Sequence, residues 1–402
     1  MGVAELPKLS VRLSGAVNSR HCVDLANIAE ANGFHSLWFA ENAFNRGVLP
    51  AASACAAATR RIGIGIGVFN PYNRHPTLMA MEIGALDELA QGRARLAIGS
   101  GIAGATERLG VSTDRPLAAV RDAITIVRAM LKGEEVNYAG GVFSAHKVKL
   151  EYQALRPDMP LLIAARGEQA LALCGKIADG LMISNMCPAE FTQAAVRAVH
   201  ASARQARRPA PAEVVQYIPC AVRLDRAEAY GLAKAAIGEM LPSFWALGQR
   251  VPSAKAALLQ AAGLSEADFA AAIHRLHAGE HPSQALDERF VQAFAIAGTA
   301  EDVLAQARRY GEAGASELVL TFAGRRAEAD MQYLANAARR SGPQSFQKFR
   351  RDAVGPDSLH ETNHGDANLI ADLISARSKA RADDRARVAT GSSRSQRGRR
   401  SR

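Results

Sequence analysis

A chain of 402 residues is long enough for one large domain or for two or three small ones, and 48% of it is apolar, ample for a core. Aromatic residues make up only 5%, so alanine, leucine, valine and isoleucine must do most of the packing. The formal net charge of +10 would suggest nucleic acid, but it is local: from Ser375 to Arg402 ten Lys/Arg face only Asp383 and Asp384, which leaves +2 for the rest. The five cysteines (Cys22, Cys55, Cys174, Cys187, Cys220) show no C-x-x-C spacing, so neither a disulfide framework nor a metal site is expected. The start "MGVAELPKLSVRL" has no apolar stretch long enough for a signal peptide, and no run approaches the roughly 18 to 20 apolar residues of a membrane span. A soluble, cytoplasmic protein is the expectation.

Strand-like and helix-like stretches alternate from the start. "LSVRLSG" (9–15) precedes a helix from Ser19 to Ala31 that stops at Asn32-Gly33. "SLWFAE" (36–41) leads into the alanine-rich helix 49–59, and "IGIGIGVFN" (62–70) into a helix from Pro76 to about Ala90. "ARLAIGSG" (94–101) comes before an amphipathic helix from about Leu117 to Leu131, and an irregular stretch, 133–157, follows. "PLLIAARG" (160–167), "GLMISN" (180–185) and "EVVQYIPCAVRL" (213–224) resume the rhythm, each of the first two with its helix. A long helical insertion, about 226–293, then "AIAGT" (295–299), a helix over 300–313 and "ELVLTFA" (317–323) close the series.

Seven or eight strands, each followed by a helix, predict an α/β fold with a parallel sheet. Between an open doubly wound sheet and a closed (β/α)8 TIM barrel, the count near eight and the length favour the barrel, with the helical insertion after strand seven. The barrel domain is expected over 1–341. From about Gly342 the pattern fails, and the basic tail 342–402 is expected to be disordered.

Chemistry in such a barrel belongs at the carboxyl ends of the strands. "GSGIAG" (99–104) matches G-x-G-x-x-G after a strand, but it follows the fourth strand, and its nearest acidic candidate, Asp122, falls within a helix. That spacing fits a phosphate-binding turn better than a dinucleotide fold. "LIAARG" (162–167) ends another strand with small residues and Arg166, and Ser184 and Asn185 end the next. Glu41 is a candidate to orient substrate or move a proton, or a cap for the following segment. His75, between Arg74 and Pro76, is either catalytic or a residue that fixes the turn. No Ser/His/Asp or Cys/His arrangement stands out, which points to a bound cofactor. Gly63, Gly65 and Gly67 share one strand face, and Ile62, Ile64, Ile66 and Val68 share the other. The glycine face either leaves bare backbone for something flat or relieves a crowded barrel interior.

"GIGVFNPYNRHP", "IGALDELAQGRARLAIGSG", "LLIAARGEQALALCGKIADGLMISN" and "IAGTAEDVLAQARRYGEAGASELVL" resemble the luciferase-like oxidoreductases over about residues 8–325. The nearest likeness is to the deazaflavin F420-dependent branch typified by methylene-tetrahydromethanopterin reductase. The resemblance implies a (β/α)8 barrel, usually a homodimer, that binds F420 or FMN at the carboxyl end of its strands. It also implies a non-proline cis peptide in the third strand, here Gly67–Val68, that backs the tricyclic ring. Cofactor contacts are then expected at Gly67, Val68, Asn70, Gly99, Ser100, Gly101, Ala165, Arg166, Gly167, Ser184 and Asn185, with Glu41 and His75 as catalytic candidates. The first strand, "VRLSGAVN", lacks the acidic residue of the methanopterin reductases, which puts a pterin substrate in question.

The reading is therefore an oxidoreductase that passes a hydride between coenzyme F420 and a small organic substrate. The alternative on the same fold is a reduced-FMN monooxygenase. The alternative of another class is a binding protein that docks weakly on polyanions through its basic tail.

Overall fold

Eight parallel strands close on themselves into a barrel. The computed structural model describes residues 5–42, 44–101, 106, 108–259 and 263–340. The ring runs β1 (Lys8–Ser14), β2 (Ser36–Ala40), β3 (Gly63–Phe69), β4 (Ala94–Ile98), then past β5 (Val136–Ala139) and β6 (Ser144–Val148) to β7 (Leu161–Ala164), β8 (Gly180–Ile183) and β9 (Glu213–Val222). It skips β10 (Ile296–Gly298) and closes through β11 (Glu317–Phe322), which pairs with both β9 and β1. The expected TIM barrel is present, and the open sheet is excluded by the β8–β9 pairing. β10 is an extra strip beside the end of β9, from Cys220 to Val222.

Helices cover the outside: α1 (Ser19–Ala31), α2 (Val48–Ala58), α3 (Pro76–Leu89), α4 (Pro116–Leu131), α5 (Glu168–Ile177) and α6 (Ala189–Gln205). The insertion supplies α7 (Arg226–Arg250), α8 (Pro252–Leu259), α9 (Glu266–His277), α10 (Pro282–Ala285) and α11 (Glu288–Phe294), before α12 (Ala300–Glu312) and α13 (Ala327–Arg340). It carries its own core, in which Trp245 stacks on Phe269 at 5.0 Å, and Met186, Ala221 and Ala323 join that core to the barrel. The stretch 133–157 is not irregular throughout. It holds the β5–β6 hairpin, anchored because buried Asp122 accepts from Tyr138 Oη at 2.9 Å and from Val142 N at 2.7 Å. This is the work of the one acidic residue that a dinucleotide fingerprint would have needed. The expected basic tail and its polyanion docking lie outside the described residues.

Alternation along the strands separates two cores. Leu9, Val11, Leu13, Ile64 and Ile66 face the helices, while Trp38, Ala97, Leu162, Met182, Val215, Tyr217 and Val319 fill the interior. This explains the three glycines and corrects the expectation of bare backbone. A Cβ on Gly65 would stand 2.5 Å from the Trp38 ring, and one on Gly67 would stand 2.2 Å from Tyr217 Oη. The missing side chains make room for neighbours.

The floor of the barrel is polar. Glu317, fully buried, accepts from Trp38 Nε1 at 2.8 Å, Ser10 Oγ at 2.6 Å and Arg95 Nη1 at 2.6 Å, and also from Ser36 Oγ. Arg95 also pairs with Glu213 and lies 4.7 Å over the Trp38 ring. Burial alone would raise the Glu317 pKa, but Arg95, His35 and the hydroxyls of Ser10 and Ser36 outweigh it and hold it at about 2. His35 goes down to about 4 because burial disfavours its cation, with Lys8 and Arg95 adding to the effect and Glu317 opposing it.

Both folded-state values lie below the ordinary ones, so stability is full above pH 6.5 and falls as acid protonates the two groups, His35 between 6.5 and about 4 and Glu317 below 4.5. Urea midpoints should therefore be flat above pH 7 and decline toward pH 4, and His35→Gln should remove the upper part of that decline. Gly65→Ala should cost about 1 to 3 kcal/mol through overpacking, read as a lower urea midpoint at unchanged slope.

Candidate active site

Because all eight strands are parallel, their carboxyl ends open on one mouth. Most of the sequence candidates arrive there from five strand ends: Glu41 after β2, Val68 and Asn70 at β3, Gly99–Gly101 after β4, Ala165–Gly167 after β7, and Ser184–Asn185 after β8.

The Gly67–Val68 peptide is cis. The ladder to β4 slips here: Gly67 pairs with Ala97 and Phe69 with Ile98, which leaves Val68 as the unpaired residue of a bulge. The bulge turns Val68 away from the outer face, where alternation had placed it, so that it packs against the interior cluster beside Ala164. A Cβ on Gly99 would stand 2.9 Å from Ala164 Cβ and 3.5 Å from Val68 Cγ1. Val68, Gly99 and Ala164 thus form a smooth, half-covered apolar wall.

Polar groups rim that wall. Asn70, buried, accepts at Oδ1 from Tyr72 N at 3.0 Å and donates from Nδ2 to Thr106 Oγ1 at 3.2 Å, which ties the loop after β3 to the one after β4. Gly101 needs to be glycine twice over: its φ is +66°, and a Cβ would stand 2.9 Å from Asn70 Nδ2. Ser100 sits between these two glycines on the same turn, and residues 102–104 of the glycine-rich motif lie outside the described residues. Across the mouth, Ala165 N donates to Met182 O at 3.1 Å. Arg166 donates from Nη2 to Ser184 Oγ at 3.1 Å and to the Asn185 carbonyl, while the Phe244 ring of the insertion lies 4.6 Å from its guanidinium. Gly167 caps α5 against Ser253 of α8. Two buried polar atoms here, Arg166 Nη1 and Asn185 Oδ1, have no partner among the described residues.

Glu41 is engaged. Arg74 Nη1 donates to both of its carboxylate oxygens, at 3.1 and 3.0 Å, and Arg74 Nε pairs with Glu82 Oε2 at 2.5 Å. Burial raises the Glu82 pKa, with Arg74 opposing and Glu41 adding to the rise. The three side chains clamp the loop after β3 between β2 and α3. His75 caps α3, since its Nδ1 accepts from Thr77 N at 3.3 Å and lies 2.8 Å from Thr77 Oγ1. The exposed ring meets Phe143 edge-on at 5.5 Å. This is the turn-fixing job that the sequence offered as the alternative to catalysis.

One mouth residue escaped the sequence reading. Arg12 of β1 points inward between Ser10 and Ser14, and its guanidinium lies 5.3 Å over the Tyr217 ring. The available signal was the alternation of "LSVRLS", which puts the charge on the same face as Ser10 and Ser14. Among the described residues no group of three or more His, Cys, Asp or Glu is placed to hold a metal, and no helix is long and apolar enough to cross a membrane.

The barrel and its polar-rimmed mouth define a class of cofactor-binding (β/α)8 scaffold, and comparison places the chain within it. The profile described as luciferase-like monooxygenase matches residues 1–317, so the chain belongs to that family and is an enzyme of the luciferase-like oxidoreductase type. It is 28% identical over 298 residues, 73% of this chain and 87% of the other, to 5,10-methylenetetrahydromethanopterin reductase of Methanolobus tindarius. It is 33% identical over 172 residues, 39% of this chain and 50% of the other, to F420-dependent glucose-6-phosphate dehydrogenase of Beutenbergia cavernae. The solved coenzyme F420 dependent tetrahydromethanopterin reductase of Methanopyrus kandleri shares the fold, with a TM-score of 0.71 at 21% identity over 83% of this chain and 98% of the other.

Asn70→Ala should leave the buried Thr106 hydroxyl and Tyr72 amide unsatisfied, at about 1 to 3 kcal/mol. Amide exchange at residues 70–75 and 99–101 should speed up, while exchange in β1 and β11 stays slow.

Proposed function

We propose that this protein transfers a hydride between coenzyme F420 and a small organic substrate held in the barrel mouth. The observation that carries the reading is the apolar wall of Val68, Gly99 and Ala164, set at a bulge between glycine-rich strand ends. Such a wall suits one face of a planar ring. The unpartnered Arg166 Nη1 and Asn185 Oδ1 supply a donor and an acceptor for its polar edge. The mouth residues therefore fit a bound deazaflavin, and the F420-dependent relatives support the same cofactor.

When bound, the deazaflavin supplies the carbon that gives or takes the hydride, and the protein does the rest. Val68 and its neighbours back the ring. The amides of Ser100, Gly101, Arg166 and Gly167 would hold the anionic chain of the cofactor, helped by the side chain of Arg166 and the N-terminus of α5. The Gly99 and Ala165 amides are spent on Phe69 O and Met182 O. Ser184 and Asn185 fix orientation. Asn70 holds two of these loops in register, and Glu41, through Arg74, positions the loop that carries them. Phe244, over Arg166, shields the rim from water.

The test is equilibrium binding of F420 and of FMN, followed by absorbance and fluorescence. F420 should bind tightly and FMN weakly, and Arg166→Met should weaken F420 about 10- to 100-fold, the worth of charge-assisted hydrogen bonds. Preferential FMN binding would replace the reading with a reduced-flavin monooxygenase, and binding of neither would sink both.

A further inference from the structure

Arg12 is the cation that the proposed cofactor site leaves unused. Its Nε is buried with no hydrogen-bond partner, and among the described residues no carboxylate lies within ion-pair distance of its guanidinium. Two acidic side chains of the barrel are committed elsewhere, Glu41 to Arg74 at the rim and Glu317 to Arg95 on the floor. Burial lowers the Arg12 pKa, and only Tyr217 acts against that fall. A half-buried guanidinium with a covered, unpartnered Nε loses part of its hydration and gains no counter-ion among the described residues in return.

The position of this charge is specific. Arg12 pairs in register with Trp38 of β2 and stands one residue beyond the Val11–Leu320 pair of β11, beside Thr321. Thr321 also faces inward, and its Oγ1 is a second buried polar atom without a partner. The Tyr217 ring beneath Arg12 donates its hydroxyl to Gly67 O at 2.8 Å, which links the arginine to the bulge that carries Val68. A cation, a hydroxyl and the apolar wall thus meet inside one mouth.

We propose that Arg12 and Thr321 form a subsite for a carboxylate on the substrate, so that the substrate is a small organic acid. The planar guanidinium fork matches a carboxylate in two parallel hydrogen bonds. One positive charge and one hydroxyl balance a monoanion, whereas a phosphate dianion calls for more positive charge than this pair carries. The proposal rests on the reading of the mouth as a redox site, but its test does not need the cofactor.

The probes are butyrate and benzoate, with butyramide and benzyl alcohol as neutral matches and inorganic phosphate as a second anion, titrated calorimetrically into the full-length protein. Saturable binding of the carboxylates, at least tenfold tighter than that of the neutral matches or phosphate, is expected. Arg12→Gln should weaken it at least tenfold, Thr321→Val by a few-fold, and Arg12→Lys should restore part of it. F420 affinity should be unchanged in all three variants. Equal binding of the amides, preference for phosphate, unaltered carboxylate binding in Arg12→Gln, or no carboxylate binding at all would overturn the proposal. So would loss of F420 rather than carboxylate binding, which would assign Arg12 to the cofactor. Should Arg12→Gln fail to fold, Thr321→Val and Arg12→Lys carry the comparison. Failure of the wild-type protein to bind either F420 or FMN would sink the redox reading alone and leave the carboxylate result standing.

Discussion

The barrel is organised around the buried carboxylate of Glu317. It takes hydrogen bonds from Trp38, Ser10 and Ser36 and an ion pair from Arg95, and so draws β1, β2, β4 and β11 together at the floor. A buried charge is stabilising only when so fully partnered, and this one fixes the indole of Trp38 in the barrel axis. The indole in turn fills the space that Gly65 leaves open. The floor is closed by side chains, and the candidate site lies in the layer above it.

That upper layer divides its labour. The bulge at Val68 offers a smooth apolar surface, and the strand ends to either side supply amides, hydroxyls and Arg166. Several residues at the rim serve geometry first. Asn70 ties two loops, Glu41 and Glu82 grip Arg74 from both sides, and His75 caps the helix that follows. A mouth built from loops needs such ties, because a cofactor or substrate is held only as firmly as the loops that carry its contacts. The insertion contributes through Phe244 and Ser253, which reach the loop after β7 from a core of their own.

The placement of most candidate residues at the mouth was legible because the ends of successive strands carry small and polar residues in a fixed rhythm. Arg166, Ser184 and Asn185 were expected on one rim and do meet there. Arg12 was not singled out, since a lone arginine in an amphipathic strand reads equally as surface charge. The side of β1 that faces the axis becomes known only when the ring closes. The hairpin at β5–β6 was missed for a related reason: its short strands are polar and are held by Asp122 from a neighbouring helix, not by a pattern of their own.

The alternation of strands and helices, with its periodicities of two and of three to four residues, determined the class of fold and the end of the barrel where chemistry would lie. These are local properties, written in hydrophobic spacing, caps and turn residues. Only the tertiary structure decided what the glycines of β3 are for, on which side Val68 stands, and that Arg12 is a half-buried charge with no counter-ion among the described residues. Each of those depends on contacts between residues far apart in the chain, and burial, unlike periodicity, is not a property of any one segment.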